Sequence, residues 1–353
     1  MKNNFSASLK ILAGKIDNVI AASQFPSLVA PAYLGEAMRS YPANGGKRLR
    51  PVIMLWCAAL AGGDVEKLLP AAAALEIFHN WTLVHDDIID NDDVRRGKPT
   101  AHIQLANAVN STPERQKKFG CDMAILAGDL MQGWAFELID QAGTTAEVKL
   151  KLAAELRKFG YIKLVSGEAV DVEMSYRAAG TITEDELFCM QSGKTGALLH
   201  YAARAGWMAG KGSAAAWDEP AARALGEFGE YLALAFQMRD DYLGIFGRVE
   251  EFGKPIGSDL AEGKATVLLL HALKNLSGNG KARLLNHLYR TGYTANDLAE
   301  VRQIFEKAGS VNYLLDKINL MTRKAQICLE QLPDVPEKQY LSDLADYLIN
   351  REK

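Results

Sequence analysis

The sequence predicts an all-α protein, and three observations support this. Only 11 prolines interrupt the 353 residues, alanine- and leucine-rich segments dominate the chain, and alternating β-branched runs are hard to find. Helix propensity and hydrophobic periodicity therefore agree almost everywhere. With 48% hydrophobic and 24% charged residues, the chain can also bury a sizeable core.

The predicted helices follow the periodic segments in chain order. An amphipathic stretch comes first, long apolar segments fill the middle, and smaller helices close the chain. The predicted spans are Phe5 to Ala22, Leu34 to Arg39, Arg50 to Ala61, Val65 to Asn91, Met123 to Gln141, Thr145 to Ser175, Thr183 to Ala209, Asp218 to Ile245, Leu260 to Leu276, and a set from Lys281 to Asn350.

Local signals predict where some helices begin and end. Thr183 followed by Glu186 matches a capping box, which starts a helix. Glycine-containing segments predict helix ends at Gly62-Gly63, Gly97-Lys98-Pro99 and Gly278-Asn279-Gly280.

Two segments, Ala71 to Phe78 and Leu232 to Phe236, are apolar nearly all round and should lie at the centre of the bundle. The sequence contains no convincing short-period repeat and no Ser/Gly linker. We therefore expect one domain over residues 1–353, with a core at about 34–276 and C-terminal helices at 281–353.

Composition argues against several classes of partner and site. A net charge of −3 gives no basic field for a nucleic-acid backbone, so no nucleic-acid partner is expected. The four cysteines form no CxxC pair, which argues against a zinc ribbon or dithiol motif and fits a reducing compartment. Met1 to Ile20 has an amphipathic pattern and no apolar run reaches bilayer length, so we expect a cytoplasmic protein without transmembrane segments.

The first acidic motif lies in the predicted helix that ends near Asn91. Asp86 and Asp90 are one turn apart and share a face, with Asp87 beside them. Like charges at this spacing repel, and carboxylates are ligands that Mg²⁺ prefers. A solvated helix end is the alternative for an isolated motif, but Arg95 and Arg96 follow at once and could grip phosphate oxygens. Together these residues indicate a diphosphate site.

A second acidic pair, Asp240-Asp241, lies on another apolar helix. Burying two unpaired acidic faces is costly, so shared counterions are expected. Cations accompany the two motifs: Lys47, Arg48 and Arg50 in a glycine-rich loop, Lys194 beside Thr195, and Lys254 and Lys264 on either side of Asp259. A single lysine is usually solvated, but the joint pattern favours anion binding.

At this point the motifs resemble those of the trans-isoprenyl diphosphate synthases in the polyprenyl synthetase family. The resemblance covers roughly Gly45 to Thr266 in the family's order. It implies an all-α, isoprenoid-synthase-type bundle around a deep central cavity, usually as a homodimer. The matching segments are GGKRLRP, EIFHNWTLVHDDIIDNDDVRRG, LAGD, KTG, FQMRDD and GKP…SDLAEGKAT.

Carried over by position, the resemblance implies that Asp86, Asp90 and Asp240 bind Mg²⁺, three ions with diphosphate bound, with Asp87 and Asp241 in support. The reacting end of the allylic substrate would meet Lys194, Thr195 and Gln237. The allylic diphosphate would also be held by Arg95, Lys254 and Lys264, and isopentenyl diphosphate by Lys47, Arg50, His79 and Arg96.

The family's second motif often carries a third carboxylate where this chain has Gly244. The principal ligand, Asp240, is still present. The resemblance therefore implies activity, with weaker or altered metal binding at the second motif.

The implied reaction is ionisation, condensation and elimination, without a protein nucleophile. Product length would depend on Trp81 and Thr82, which lie about 6 to 7.5 Å before Asp86 along the helix. A single bulky residue at Trp81 resembles the geranylgeranyl type, which predicts a twenty-carbon product, with the fifteen-carbon farnesyl product as the alternative. Structural packing of Trp81 is the other interpretation.

Two other functions stay open from the sequence. A terpene cyclase would share the first motif but should carry an Asn/Asp-Ser/Thr-Glu second motif, which Asp240-Asp241 does not match. A non-catalytic subunit of a hetero-oligomeric synthase is the second alternative, and Gly244 is the only hint of it.

Overall fold

A computed structural model describes residues 2–247, 256–290 and 292–350, and the regular secondary structure of these residues is helical apart from one two-stranded hairpin. The all-α prediction is confirmed. The helices are α1 (Lys2–Ala22), α2 (Ala32–Ala43), α3 (Leu49–Leu60), α4 (Val65–Ile89), α5 (Ala101–Ala106), α6 (Pro113–Asp140), α7 (Ala146–Leu156), α8 (Ser166–Ser175), α9 (Glu184–Gln191), α10 (Ala197–Lys211), α11 (Pro220–Phe246), α12 (Ser258–Glu262), α13 (Val267–Asn275), α14 (Gly278–Leu285), α15 (Ala295–Lys307), α16 (Ser310–Leu329) and α17 (Pro336–Asn350).

Shorter helical pieces connect some of these elements. Two of them are π-helical, with hydrogen bonds that span five residues instead of the four of an α-helix. The π segments are Arg157–Val165 and Ser192–Gly196, and the 3₁₀ turns are Phe25–Leu28, Ala179–Thr181 and Ala214–Asp218.

Several boundaries differ from the prediction. α6 begins at Pro113, ten residues before Met123, because Pro at the first helical position is preorganised for a helix start. The helix expected over 260–276 is two helices, since Gly263 adopts a left-handed φ of 69° and ends α12. Gly278 begins α14 instead of stopping a helix. The capping box of Thr183 is confirmed.

The contacts divide the chain into two compact units. The first contains residues 1–154 and 204–222, and the second contains residues 155–203 and 223–353. No Ser/Gly linker marks the division, because its boundaries fall inside α7, α10 and α11. The single domain expected from the sequence stays a prediction.

In the first unit, α4 is the central helix. It packs chiefly on α6 and also on α3 and α1. Every residue from Ala71 to Phe78 is buried, as the all-round apolar pattern predicts. Gly128 permits the close approach of α6, because a Cβ there would lie 2.2 Å from His85 Nε2. Close packing against α6 therefore holds the part of α4 that precedes its acidic end.

In the second unit, the core includes one face of α11 together with α13, α15 and α16. Residues 232–235 are buried, which agrees with their apolar pattern, and Phe236 is partly buried. The two π segments pack against each other in this unit. No helix within the described ranges combines the length and apolarity needed to cross a bilayer.

Candidate active site

The last turn of α4 carries three carboxylates. Asp86 and Asp90 are partly exposed, whereas Asp87 is fully buried. The C-terminal end of a helix carries partial negative charge, so acidic groups there cost stability unless cations offset them. This end of α4 is therefore electrostatically prepared for a cation.

A sharp turn sends the chain back toward these carboxylates. Asn91 has a left-handed φ of 54°, and the Asp92 amide donates to the Asp87 carbonyl at 2.9 Å, the pattern of a Schellman end. An antiparallel hairpin follows, with strands β1 (Val94–Arg95) and β2 (Lys98–Pro99).

The tip of this hairpin fixes two arginines in different directions. Arg96 and Gly97 form its two-residue loop, with φ values of 54° and 74°, as a tight hairpin turn requires. Local turn chemistry thus fixes the positions of Arg95, on β1, and of Arg96, at the tip.

Arg95 joins the hairpin to the acidic helix end. Its Nε donates to Asp87 Oδ1 at 2.6 Å. Its Nη2 lies 2.5 Å from the same oxygen, 3.6 Å from Asp86 Oδ2 and 3.8 Å from Asp92 Oδ2. Burial opposes its charge, but the Asp87 hydrogen bond and the nearby carboxylates outweigh burial and raise the pKa of Arg95. The guanidinium is permanently charged.

Asp87 is held from its other side by Tyr41. The Tyr41 hydroxyl donates to Asp87 Oδ2 and accepts from the Ala101 amide at 3.1 Å. Burial, followed by the Asp87 charge, raises the pKa of Tyr41, so the hydroxyl keeps its proton. Asp87 therefore positions Arg95, which is one way of supporting the predicted ligands.

The glycine loop meets the second arginine of the hairpin. Arg96 Nη1 donates to the Gly45 carbonyl, and Arg48 Nη1 donates to the same carbonyl at 3.1 Å. Gly46 has a φ of 142°, a backbone conformation that favours glycine over residues with a Cβ. Lys47, beside them, has an exposed side chain.

Arg48, Arg50, Arg95 and Arg96 form a cationic cluster, and the charges of all four act on His79. Arg50 Nη1 lies 3.1 Å from His79 Nε2. Burial and the charges of four arginines, Arg50 first, hold the pKa of His79 well below its usual value, so the ring is neutral. Since arginine can only donate, His79 accepts on Nε2 and carries its proton on Nδ1.

Positive charge is in excess around His79. Burial lowers the pKa of Arg50 and of Arg96, Glu76 partly counters this, and neighbouring guanidiniums lower both further. Arg50 Nε is also buried without a hydrogen-bond partner. An anion would relieve both the repulsion and the missing bond.

The two residues assigned to chain length lie one turn before Asp86 on α4. Trp81 is 5% exposed and packs edge-on against Phe78, with ring centroids 4.8 Å apart, and against His85 at 5.8 Å. Thr82 is partly buried, and its hydroxyl donates to the His79 carbonyl at 2.7 Å.

In the second unit, three predicted site residues form a hydrogen-bonded chain. The Thr195 hydroxyl donates to Gln237 Oε1 at 3.5 Å, and Gln237 Nε2 donates to Asp241 Oδ1 at 3.0 Å. The chain fixes which end of the Gln237 amide faces which neighbour.

Lys194 lies in the π segment 192–196, held between two acids of α8. Its ammonium is 2.8 Å from Glu168 Oε2 and 2.6 Å from Asp171 Oδ2. Gly167 allows this approach, because a Cβ there would lie 2.3 Å from the Lys194 backbone nitrogen. Widened helical turns of this kind are frequent at functional sites.

The second acidic pair, like the first motif, combines a buried carboxylate with a partly exposed one. Asp241 is 4% exposed and Asp240 is partly buried. Burial, followed by the charge of Asp259, raises the pKa of Asp241 to about 8. Lys264 partly counters this shift and pairs with Glu262 Oε2 at 2.7 Å. Lys254 lies outside the described residues.

The carboxylates of each unit, taken separately, suit Mg²⁺, which prefers hard oxygen ligands. In the first unit Asp86 and Asp90 would offer such ligands. In the second unit Asp240 would do so, and Asp241 Oδ2 is buried without a hydrogen-bond partner. Within the described ranges, no group of three or more His, Cys, Asp or Glu side chains could enclose a metal ion.

Sequence reasoning missed four residues that build these clusters: Tyr41 and Glu76 in the first unit, and Glu168 and Asp171 in the second. No local pattern marks Tyr41, because its partner Asp87 is 46 residues away. Glu168 and Asp171 share a helix face three residues apart, a signal that could have been noticed.

Comparisons with known proteins relate this chain to prenyl diphosphate synthases. Residues 31–308 match the family model described as Polyprenyl synthetase. The chain is 36% identical to a geranylgeranyl diphosphate synthase of Saccharolobus solfataricus over 315 residues, which is 88% of this chain and 87% of the relative. It is 40% identical to a farnesyl diphosphate synthase of Geobacillus stearothermophilus over 267 residues, 74% and 81% of the two chains.

The fold is also similar to that of a solved structure. The geranylgeranyl pyrophosphate synthase of Corynebacterium glutamicum, complexed with isoprenyl diphosphate and magnesium, superposes with a TM-score of 0.83 at 27% identity. The match covers 98% of each chain.

Proposed function

The chain belongs to the polyprenyl synthetase family, and we propose that its main product is geranylgeranyl diphosphate. It is a trans-prenyltransferase, an enzyme that extends an allylic diphosphate with isopentenyl diphosphate. The observation that carries the site assignment is the hairpin in the first unit. It brings Arg95 to Asp86 and Asp87, and Arg96 to the Gly45 carbonyl.

These contacts assign different tasks to neighbouring residues. Asp86 and Asp90 would hold Mg²⁺, and Arg95 would bind diphosphate oxygens beside it. Bound Mg²⁺ supplies Lewis-acid stabilisation of the departing diphosphate. Arg50, Arg96 and the exposed Lys47 would bind the isopentenyl diphosphate headgroup as charge-assisted donors.

Residues of the second unit would act on the allylic substrate. Asp240 would be a metal ligand, while Lys194 and Lys264 would bind the allylic diphosphate. The Thr195 hydroxyl oxygen and the oriented Gln237 amide would stabilise positive charge on the allyl group through preorganised dipoles. Neither group is an activated nucleophile, so the cation would survive until the alkene of isopentenyl diphosphate attacks it.

Elimination then requires a base, and the described carboxylates of the predicted site are either assigned to Mg²⁺ or paired with cations, as Glu168 and Asp171 are with Lys194. His79 is neutral, but its Nε2 already accepts from Arg50. The released diphosphate is the remaining strong acceptor, so we propose that it takes the proton.

We further propose three Mg²⁺ ions per active site, a homodimer, and a single domain in a cytoplasmic protein. Family membership supports the metal and the dimer. The four cysteines, all free thiols in the structure, support a reducing compartment.

The reaction itself is tested by incubating the purified chain with isopentenyl diphosphate and dimethylallyl, geranyl or farnesyl diphosphate, with and without Mg²⁺. We expect chain growth and diphosphate release only with the metal. Growth without Mg²⁺, or none with it, would contradict the proposal. Activity only after addition of a second synthase would favour the non-catalytic subunit.

A farnesyl product is the second candidate, favoured by the identity to the Geobacillus enzyme. Trp81 separates the two, because we propose that its indole blocks growth of the chain. Trp81→Ala should shift the products beyond twenty carbons, as measured by mass spectrometry. Removing a buried Trp also costs about 3 to 5 kcal/mol of stability.

A control must therefore separate lost stability from lost blockage. Trp134 is fully buried in the same unit and donates from Nε1 to Ser23 Oγ at 2.8 Å. Trp134→Phe should lower the melting temperature and leave product length unchanged. An unchanged product distribution in Trp81→Ala would make Trp81 a packing residue only.

A further inference from the structure

Arg48 is unlike the other cations of the glycine loop because it is buried. Its side chain is 1% exposed, whereas Lys47 is exposed. It also has a left-handed φ of 50°, which is unfavourable for a residue with a Cβ. Such a conformation persists only where surrounding contacts hold it, and such positions cluster at functional sites.

All three nitrogens of the Arg48 guanidinium donate hydrogen bonds within the protein. Nε donates to Asp17 Oδ1 at 2.7 Å, Nη1 donates to Glu76 Oε1 at 2.8 Å, and Nη2 donates to the Pro42 carbonyl. Nη1 also reaches the Gly45 carbonyl at 3.1 Å. With its donors turned inward, Arg48 is poorly placed to bind a substrate itself.

These contacts act on residues that the proposed function assigns to isopentenyl diphosphate. The Gly45 carbonyl, oriented by Arg48, also accepts from Arg96. Glu76, fixed by Arg48 and by Asn80 Nδ2 at 3.0 Å, is the carboxylate whose charge supports both Arg50 and Arg96. Arg48 therefore lies between the N-terminal helix and the other arginines of the cationic cluster.

We propose that Arg48 is a positioning residue for isopentenyl diphosphate, and that α1 contributes to its affinity through Asp17. This rests on the proposed function. The planar fork orients the Gly45 peptide, whose carbonyl accepts from Arg96, and it orients Glu76, whose negative charge supports Arg50. Lysine cannot reproduce this role, because a single ammonium cannot span four acceptors in fixed directions.

The contact between Asp17 and Arg48 is not needed to hold α1 in place, because other residues of α1 pack against the protein. Phe5, Ile16 and Ile20 are buried, and the Trp56 indole donates to Ser8 Oγ at 3.0 Å. These contacts keep α1 in place without Asp17. Asp17→Asn should therefore leave α1 docked while weakening the grip on Arg48.

The test compares Arg48→Lys and Asp17→Asn with wild type in steady-state assays that vary one substrate at a time. The KM for isopentenyl diphosphate should rise about tenfold or more in Arg48→Lys and about threefold in Asp17→Asn. At saturation kcat should stay within about twofold of wild type, and the KM for the allylic substrate should not change.

Lys15→Met is the matched control, because Lys15 lies on the same helix and pairs with Glu66 at the surface, away from the loop. It should change neither KM. A fall in kcat together with an equal rise in both KM values and a lower melting temperature would mean that Arg48 is merely structural. This result would overturn the proposal. An unchanged KM for isopentenyl diphosphate in both variants would overturn it as well.

Calorimetry with inorganic diphosphate keeps this test separate from the proposed reaction. Arg48→Lys should weaken binding of that probe even if wild type proved inactive, in which case the proposed function alone would fail. Equal binding by wild type and Arg48→Lys would reject the positioning role regardless of turnover.

Discussion

Replacing Asp86 with asparagine is expected to lower kcat by about a thousandfold while the fold stays intact. The amide keeps the shape of the side chain but removes the charge that a divalent ion needs. Asp86 is partly exposed at the end of α4, one turn before Asp90. Half-maximal activity should also require a higher Mg²⁺ concentration, and this can be measured in the same titration.

Asp86→Asn should leave the stability of the metal-free fold unchanged or raise it slightly. Asp86 and Asp90 repel each other and the helix C-terminus, so removing one charge relieves strain of about 0.5 kcal/mol. The ion pair of Asp86 with Arg95 is long, at 3.6 Å, and Arg95 keeps its closer contacts to Asp87. We expect an unchanged or slightly higher melting temperature without metal.

Asp93→Asn is the matched control for this variant. Asp93 lies in the same acidic stretch but is exposed, and it falls outside the predicted ligand set. Its activity and Mg²⁺ requirement should match those of wild type. If Asp93→Asn and Asp86→Asn lost activity equally, net charge would explain the effect, and Asp86 would not be a specific ligand.

Replacing Lys194 with methionine is expected to lower kcat/KM for the allylic substrate by about a hundredfold or more. Lys194 pairs with both Glu168 and Asp171 and offsets part of their negative charge, and Asp171 is one of the charges that raise the pKa of Asp241. Without the ammonium, the carboxylates of α8 would repel the incoming diphosphate. The KM for isopentenyl diphosphate should change little.

Two further variants sharpen this result. Lys194→Arg keeps the positive charge and should recover part of the activity. Lys163→Met removes an exposed lysine from the other π segment, where its ammonium lies 4.7 Å from the Phe159 ring, and should behave as wild type. No recovery in Lys194→Arg, or equal losses in Lys163→Met, would contradict an electrostatic role for Lys194.

Much of the architecture could be predicted because helix signals are local. The all-round apolar pattern of residues 71–78 correctly indicated a central helix, and the capping box at Thr183 correctly marked a helix start. The start of α6 and the break at Gly263 were missed, because proline placement and positive φ act at single positions within otherwise periodic segments.

The site was predictable to the level of motifs. Asp86 and Asp90 share a face because helical spacing requires it, and the motif series identifies the family. The roles given to individual site residues stay predictions. In each unit the structure brings several of them into contact, such as Arg50 with His79 and Thr195 with Gln237.

The sequence by itself determined the helical class and the family, because periodicity and motif spacing are local features of the chain, and it supplied the carboxylates and cations that the proposed site uses. Only the tertiary structure decided which charges face inward. It buried Asp87 against Tyr41 and turned Arg48 toward Asp17 and Glu76, while Lys47 stayed exposed. Burial and pairing depend on contacts between residues 28 to 46 positions apart, and no local pattern encodes such contacts.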